Sequence, residues 1–147
     1  IVDYGCGSGI LAVAALRLGA ARALAVDNDP QALAASADNA ARNGIAQDRL
    51  PVALPEQVDR QAWAGVADVV IANILALPLI ELAPLLLDSL LEGGALALSG
   101  ILAEQLDDVQ AAYRAELASV SSQSREGWVL LQGRRKGRSA GAADQKS

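Results

Sequence analysis

The chain has 147 residues, 12 Lys+Arg against 17 Asp+Glu for a formal net charge of −5, no His, one Cys, no Met and no Phe. Without His, a Ser-His-Asp triad, a His base and a His-ligated metal are excluded within these residues, and one Cys excludes an internal disulfide or a Cys-rich zinc site. The length fits one domain, and an opening at Ile1, inside an apolar run and without Met, reads as a piece of a longer protein.

Short apolar runs alternate with helical stretches, the pattern of a mostly parallel sheet covered on both faces. Residues 1–4 predict the end of a first strand, which leads into a glycine loop and a helix over 10–18, with Gly19 as its left-handed cap. A second strand follows over 22–26. Asp29-Pro30 then supplies an N-cap and a proline at the first helical position, starting a helix that runs to Arg42 before Asn43-Gly44. Residues 50–54 predict a third strand between prolines, and the apolar run 67–72 a fourth. A Leu-rich helix is predicted over 79–91, ending at Gly93-Gly94, with a fifth strand over 95–99 and a helix over 103–116. Strands over 118–123 and 128–134, joined by a turn at Arg125-Glu126-Gly127, complete a seven-stranded sheet with an antiparallel final strand. The expectation is an α/β, Rossmann-like domain over 1–136 and a disordered, basic and polar tail over 137–147.

The net charge hides an asymmetry: residues 1–124 carry −9 and residues 125–147 carry +4. A body so acidic argues against direct nucleic-acid binding, which needs clustered Lys and Arg. The run Arg134-Arg135-Lys136-Gly137-Arg138 reads as a solvated terminus, because no aromatics are interleaved with it. No stretch reaches the roughly 18 uncharged apolar residues of a membrane span. With one unpaired Cys, a reducing cytoplasm is expected, and the protein is expected to be a monomer.

Chemistry concentrates at Asp3-Tyr4-Gly5-Cys6-Gly7-Ser8-Gly9, between a strand and a helix. Glycines there allow a tight turn and let backbone approach a ligand that a Cβ would hold away, while the next helix aims its positive end at the same place. The glycines fall at 5, 7 and 9, not in the G-x-G-x-x-G spacing of dinucleotide folds. Asp27 closes the second strand 18 residues after Gly9, where a carboxylate accepts hydrogen bonds from ribose hydroxyls. Asn73 follows four apolar residues at the end of the fourth strand, where open α/β sheets bind ligands. Its carbonyl is suited to accept a hydrogen bond from an attacking amine. Cys6 lacks any His to activate it, Trp63 and Trp128 read as packing residues, and Glu56 and Gln57 lie where an adenine would sit.

An acid two residues ahead of G-x-G-x-G resembles the first motif of class I S-adenosylmethionine methyltransferases. Together with Asp27-Asn28-Asp29-Pro30, Asp38-Asn39-Ala40, Asn43-Gly44, Ala72-Asn73-Ile74-Leu75-Ala76 and Leu98-Ser99-Gly100-Ile101-Leu102, it makes residues 1–135 resemble the catalytic domain of the bacterial ribosomal protein L-eleven methyltransferase family, PrmA. The resemblance implies methyl transfer from S-adenosyl-L-methionine to lysine ε-amino and N-terminal α-amino groups of the stalk-base protein of the large ribosomal subunit. It implies cofactor contacts from Asp3, Gly5, Gly7, Gly9, Asp27 and Asn73, with Asn73 also catalytic, and no metal. It further implies a separate substrate-gripping domain and a Thr-containing segment ahead of the first strand, neither of which these residues contain. Read from the residues alone, a methyltransferase acting on nucleic-acid or glutamine nitrogen, a nicotinamide-dependent oxidoreductase and a non-catalytic adenosyl-binding module stay open.

Overall fold

A computed structural model describes residues 1–137. Residues 138–147, which hold Arg138 and nearly all of the expected tail, lie outside the described residues.

Seven strands form one sheet: β1 (Val2–Tyr4), β2 (Leu24–Val26), β3 (Val52–Ala53), β4 (Ala67–Asn73), β5 (Leu90–Leu102), β6 (Leu117–Arg125) and β7 (Trp128–Arg135). Their order is β3-β2-β1-β4-β5-β7-β6. Only the pairings made by β7 are antiparallel. The order therefore reverses between β1 and β4, which pair with Tyr4 opposite Ala72. Ligands of open parallel sheets bind outside the carboxyl ends of the strands at such a reversal.

Helices α1 (Ile10–Arg17) and α2 (Pro30–Arg42) cover one face; α3 (Arg60–Trp63), α4 (Ala76–Glu81), α5 (Ala83–Ser89) and α6 (Leu106–Tyr113) follow. Alternation along β2 separates two cores. Ala23 and Ala25 face α1 and α2 together with Ala12 and Ala40, so small residues let those helices approach closely. Leu24 and Val26 join the larger core with Val70, Leu79, Leu86 and Leu98. Each of its fully buried leucines contributes on the order of 2 kcal/mol. Tyr113, completely buried, donates its hydroxyl to the Leu79 carbonyl at 2.5 Å and ties α6 to α4.

Several boundaries differ from expectation, each for a local reason. The predicted helix over 79–91 is two helices, because Pro84 has no N–H with which to continue the first. Strand β5 begins at Leu90, not residue 95. Leu90 pairs with Ala67, and the register then shifts to Ala95 opposite Val69, with Gly93 at φ 75° at the irregularity. A Cβ at Gly94 would sit 2.9 Å from the Leu91 carbonyl oxygen and 3.0 Å from that of Ala67, so a side chain there would push β4 and β5 apart locally. The segment 103–116 is α-helical only as α6, flanked by 3-10 turns. Helix α3 was not anticipated; Asp59 caps it by accepting from the Gln61 and Ala62 N–H groups at 3.0 and 3.1 Å. The β6–β7 turn does sit at Glu126-Gly127, both at positive φ, as a two-residue hairpin requires.

Three of the five residues of the basic run are tied to the fold instead of forming a free terminus, although Arg134 and Lys136 remain exposed. Arg134 donates to the Gly93 carbonyl at 3.0 Å, Arg135 to the Leu90 carbonyl, and Lys136 to the Ala115 carbonyl at 2.7 Å. These side chains tie β7 to the ends of neighbouring elements.

Candidate active site

The carboxyl ends of β1, β2 and β4 bring the glycine loop, Asp27 and Asn73 to the same edge of the sheet. Loop backbone is held first from β2: Gly5 and Cys6 donate to the Val26 carbonyl at 2.7 and 2.9 Å. Asp27, one residue on, accepts the Gly7 N–H at 2.9 Å with Oδ2 and the Asp29 N–H at 3.0 Å with Oδ1. A carboxylate offers about four acceptor positions, so two remain for hydroxyl donors. Asp29 itself caps α2 through the Gln31 N–H, as its place before Pro30 predicted.

The three glycines serve two different purposes. A Cβ at Gly5 would overlap the Cγ2 methyl of Ile74, and one at Gly9 would lie 2.8 Å from Oγ and 2.9 Å from Cβ of Ser36. These two glycines are demanded by packing inside the protein. At Gly7 a Cβ would meet nothing within 4 Å. There glycine answers a φ of 54°, and the space beside the loop is open.

Asp3 lies beneath the loop, 1% exposed, and accepts the Ala12 N–H of α1 at 3.2 Å. Burial first, and then the negative charge of Asp27, push its pKa up to about 6 against the pull of that hydrogen bond. Its carboxylate supports the start of α1 from below and does not line the open side. Sequence reasoning missed two further supports. Ser36, buried on α2, donates to the Gly7 carbonyl at 2.8 Å and lies 3.4 Å from the Cys6 sulfur. Asn39, one turn later, donates to the Ser8 carbonyl at 2.8 Å. The available signal was a serine at a core-facing position of α2, between the buried Leu33 and Ala40. Burial also pushes the Cys6 thiol pKa up, which disfavours the thiolate, and the side chain packs in the smaller core.

Asn73 ends β4 opposite Ser99, and its side chain is exposed. Beside it opens a hollow of about 530 Å³ walled by Ile74, Leu75, Ser99, Gly100 and Trp128. Trp128 is not the packing residue expected of it; half of its surface, 51%, is exposed here. Trp63 does pack against the larger core, with the Arg22 guanidinium 5.5 Å from its ring centre. Gln57 has its carbonyl oxygen on the Leu54 N–H at 2.9 Å, and Glu56 stands exposed on the same 3-10 turn.

Residues 1–136 match the family model for Ribosomal protein L11 methyltransferase (PrmA). Over 136 residues the chain is 56% identical to the ribosomal protein L11 methyltransferase of Pseudomonas paraeruginosa and 54% identical to that of Azotobacter vinelandii. Each match covers 92% of this chain and 45% of the relative, so the chain spans about half the length of these curated relatives. A ribosomal protein L11 methylase from Lactobacillus delbrueckii subsp. bulgaricus superposes with a TM-score of 0.78 at 36% identity, over 92% of this chain and 69% of that one. An RNA methyltransferase from Salinibacter ruber, solved with S-adenosyl-L-homocysteine, superposes with a TM-score of 0.70 at 20% identity, over 98% of this chain and 85% of that one, a likeness of fold alone. The sheet is thus of the Rossmann-like methyltransferase class.

Proposed function

Because this chain belongs to the ribosomal protein L11 methyltransferase (PrmA) family, we propose that its protein transfers methyl groups from S-adenosyl-L-methionine to lysine ε-amino and N-terminal α-amino groups of that ribosomal protein. The observation that carries the reading is the meeting of the glycine loop, Asp27 and Asn73 at the strand-order reversal. Residues 1–136 act as the methyltransferase domain, and the protein works as a monomer in the cytoplasm. Among the described residues there is no group of three or more His, Cys, Asp or Glu that could hold a metal ion, and no helix is long and apolar enough to cross a membrane.

The residues present suit an adenosyl ligand. Two acceptor positions on Asp27 remain for the ribose hydroxyls, and the open space at Gly7 allows backbone to approach closely. Gly5 and Gly9 shape that loop from behind, and Asp3 contributes through α1. When bound, S-adenosyl-L-methionine supplies a methyl group on a sulfonium, whose departure needs no acid. The demand on the protein is therefore alignment, which is worth up to about 7–11 kcal/mol of barrier. Asn73 meets it by accepting an N–H of the incoming amine with its side-chain carbonyl, which aims the nitrogen lone pair. The hollow between Leu75 and Trp128 receives the alkyl stem of the lysine, and the acidic body of the chain draws in a basic substrate. A lysine with its ordinary pKa near 10.4 reacts only as the deprotonated minority.

The test incubates the full-length protein with ribosomal proteins and isotopically labelled S-adenosyl-L-methionine. Mass spectrometry is expected to find label on amines of L11. Label on RNA, or binding of NAD in place of S-adenosyl-L-methionine in calorimetry, would refute the reading.

A further inference from the structure

Ile74 occupies a place that its neighbours had to make room for. On one side its Cγ2 methyl lies where a Cβ of Gly5 would be. On the other, a Cβ at Gly100 would overlap the Ile74 carbonyl oxygen and come within 2.8 Å of the carbonyl carbon and 3.1 Å of the nitrogen. Gly100 has a φ of 83° and falls where the β5–β7 register shifts between Leu98 and Ile101. The Ile74 N–H donates to the Ser99 carbonyl at 3.2 Å. One residue thus spans the gap between the glycine loop and the irregular turn of β5. It directly follows Asn73, whose exposed side chain has no described hydrogen bond to fix its direction.

From this we propose that Ile74 is a positioning residue: its β-branched methyl, seated on Gly5, sets the distance between the glycine loop and Asn73. The proposal rests on the methyl-transfer reading for its kinetic consequence, though not for its structural one. Its distinctive feature is that the atom in contact is Cγ2. Valine keeps that methyl and loses only Cδ1. Leucine keeps the volume and hydrophobicity of isoleucine but moves its branch one carbon outward, leaving Cγ2 vacant. If Ile74 served only as apolar filling, leucine would be the better replacement.

The experiment compares Ile74→Val, Ile74→Leu and Ile74→Ala in the full-length protein. Two quantities are read: kcat and KM for methyl transfer, and NMR backbone order parameters of Asn73, Ile74 and Leu75 in the ligand-free protein. The Ile74→Val variant is expected to keep kcat within about twofold. Ile74→Leu and Ile74→Ala are expected to lose tenfold or more in kcat with KM for S-adenosyl-L-methionine little changed, at thermal midpoints that do not follow the same ranking. In both, order parameters of the three residues should fall from about 0.85 toward 0.6. Wild-type order and kcat in Ile74→Leu would overturn the proposal, as would a kcat ranking that follows stability. If the wild-type protein transfers no methyl group while the order parameters rank as stated, the functional reading fails and the positioning role stands.

Discussion

The two loops that meet at the carboxyl edge are built on opposite principles. The glycine loop is braced on its protein side: Asp3 holds the start of its helix, Asp27 holds Gly7, Ser36 and Asn39 hold the Gly7 and Ser8 carbonyls, and β2 holds Gly5 and Cys6. The Asn73 loop is held through its backbone and through Ile74, while the exposed Asn73 side chain makes no hydrogen bond among the described residues. On the proposed function, the contrast follows from what each loop would have to do. Backbone that must receive a ligand is cheapest to use when already rigid. A side chain that must meet a moving substrate needs its hydrogen-bonding capacity kept free.

The contrast can be broken from either side. The largest effect is expected at Asn73→Ala, which should slow methyl transfer by about 100-fold or more, the scale of removing one well-placed hydrogen-bonding group from a reacting centre. Its thermal midpoint should stay within a few degrees, because the side chain is exposed. A rate within threefold of wild type would remove Asn73 from the chemistry.

On the braced side the first expected loss is stability. Gly9→Ala forces a Cβ into Ser36 at a φ of 76° and should cost roughly 3 kcal/mol of unfolding free energy in urea titration, from overpacking combined with left-handed strain. The matching Gly7→Ala meets open space and should cost only about 1 kcal/mol. Equal losses at the two positions would mean that conformation, not packing, explains both glycines. Asp27→Ala should weaken S-adenosyl-L-methionine binding in calorimetry by about 1.5–3 kcal/mol for each charged hydrogen bond lost.

The last expected effect is a pH dependence. Folding raises the Asp3 pKa from 3.8 to about 6, so the folded protein holds this proton more tightly than the unfolded chain. The linkage sign follows: wild-type stability falls as pH rises from about 4 to 6 through this group, and is flat beyond. Asp3→Asn keeps an acceptor for the Ala12 N–H and removes the ionisation. Relative to wild type it should gain on the order of 2 kcal/mol between pH 4 and pH 7 in denaturant titrations. A difference that does not change with pH would show that Asp3 ionises without penalty beneath the loop.

The elements that sequence reasoning placed well are those whose signals are local. Asp29-Pro30 marks the start of α2 because capping and a fixed proline φ act within one turn. Glu126-Gly127 marks a hairpin for the same kind of reason. The largest misplacement lies in the leucine-rich stretch from Leu79 to Leu91, where apolar runs satisfy helix and strand alike. There Pro84 and the pairing of Leu90 with Ala67 decided the outcome. The glycine loop shows the same division on a smaller scale. Its existence, its place between strand and helix, and the acids at 3 and 27 are visible in order along the chain. The reasons for Gly5 and Gly9 are Ile74 and Ser36, distant in sequence and close only once the sheet is assembled.

By itself, then, the amino-acid sequence determined the alternation of strands and helices, the glycine spacing and the polar residues at strand ends, since these depend on torsion preferences and periodicity over a few residues. Tertiary structure alone decided which oxygen of Asp27 holds Gly7, that Asp3 lies beneath the loop instead of lining it, and that Ile74 stands between Gly5 and Gly100. Those facts are distances between segments, and such distances exist only after β4 has come to lie beside β1.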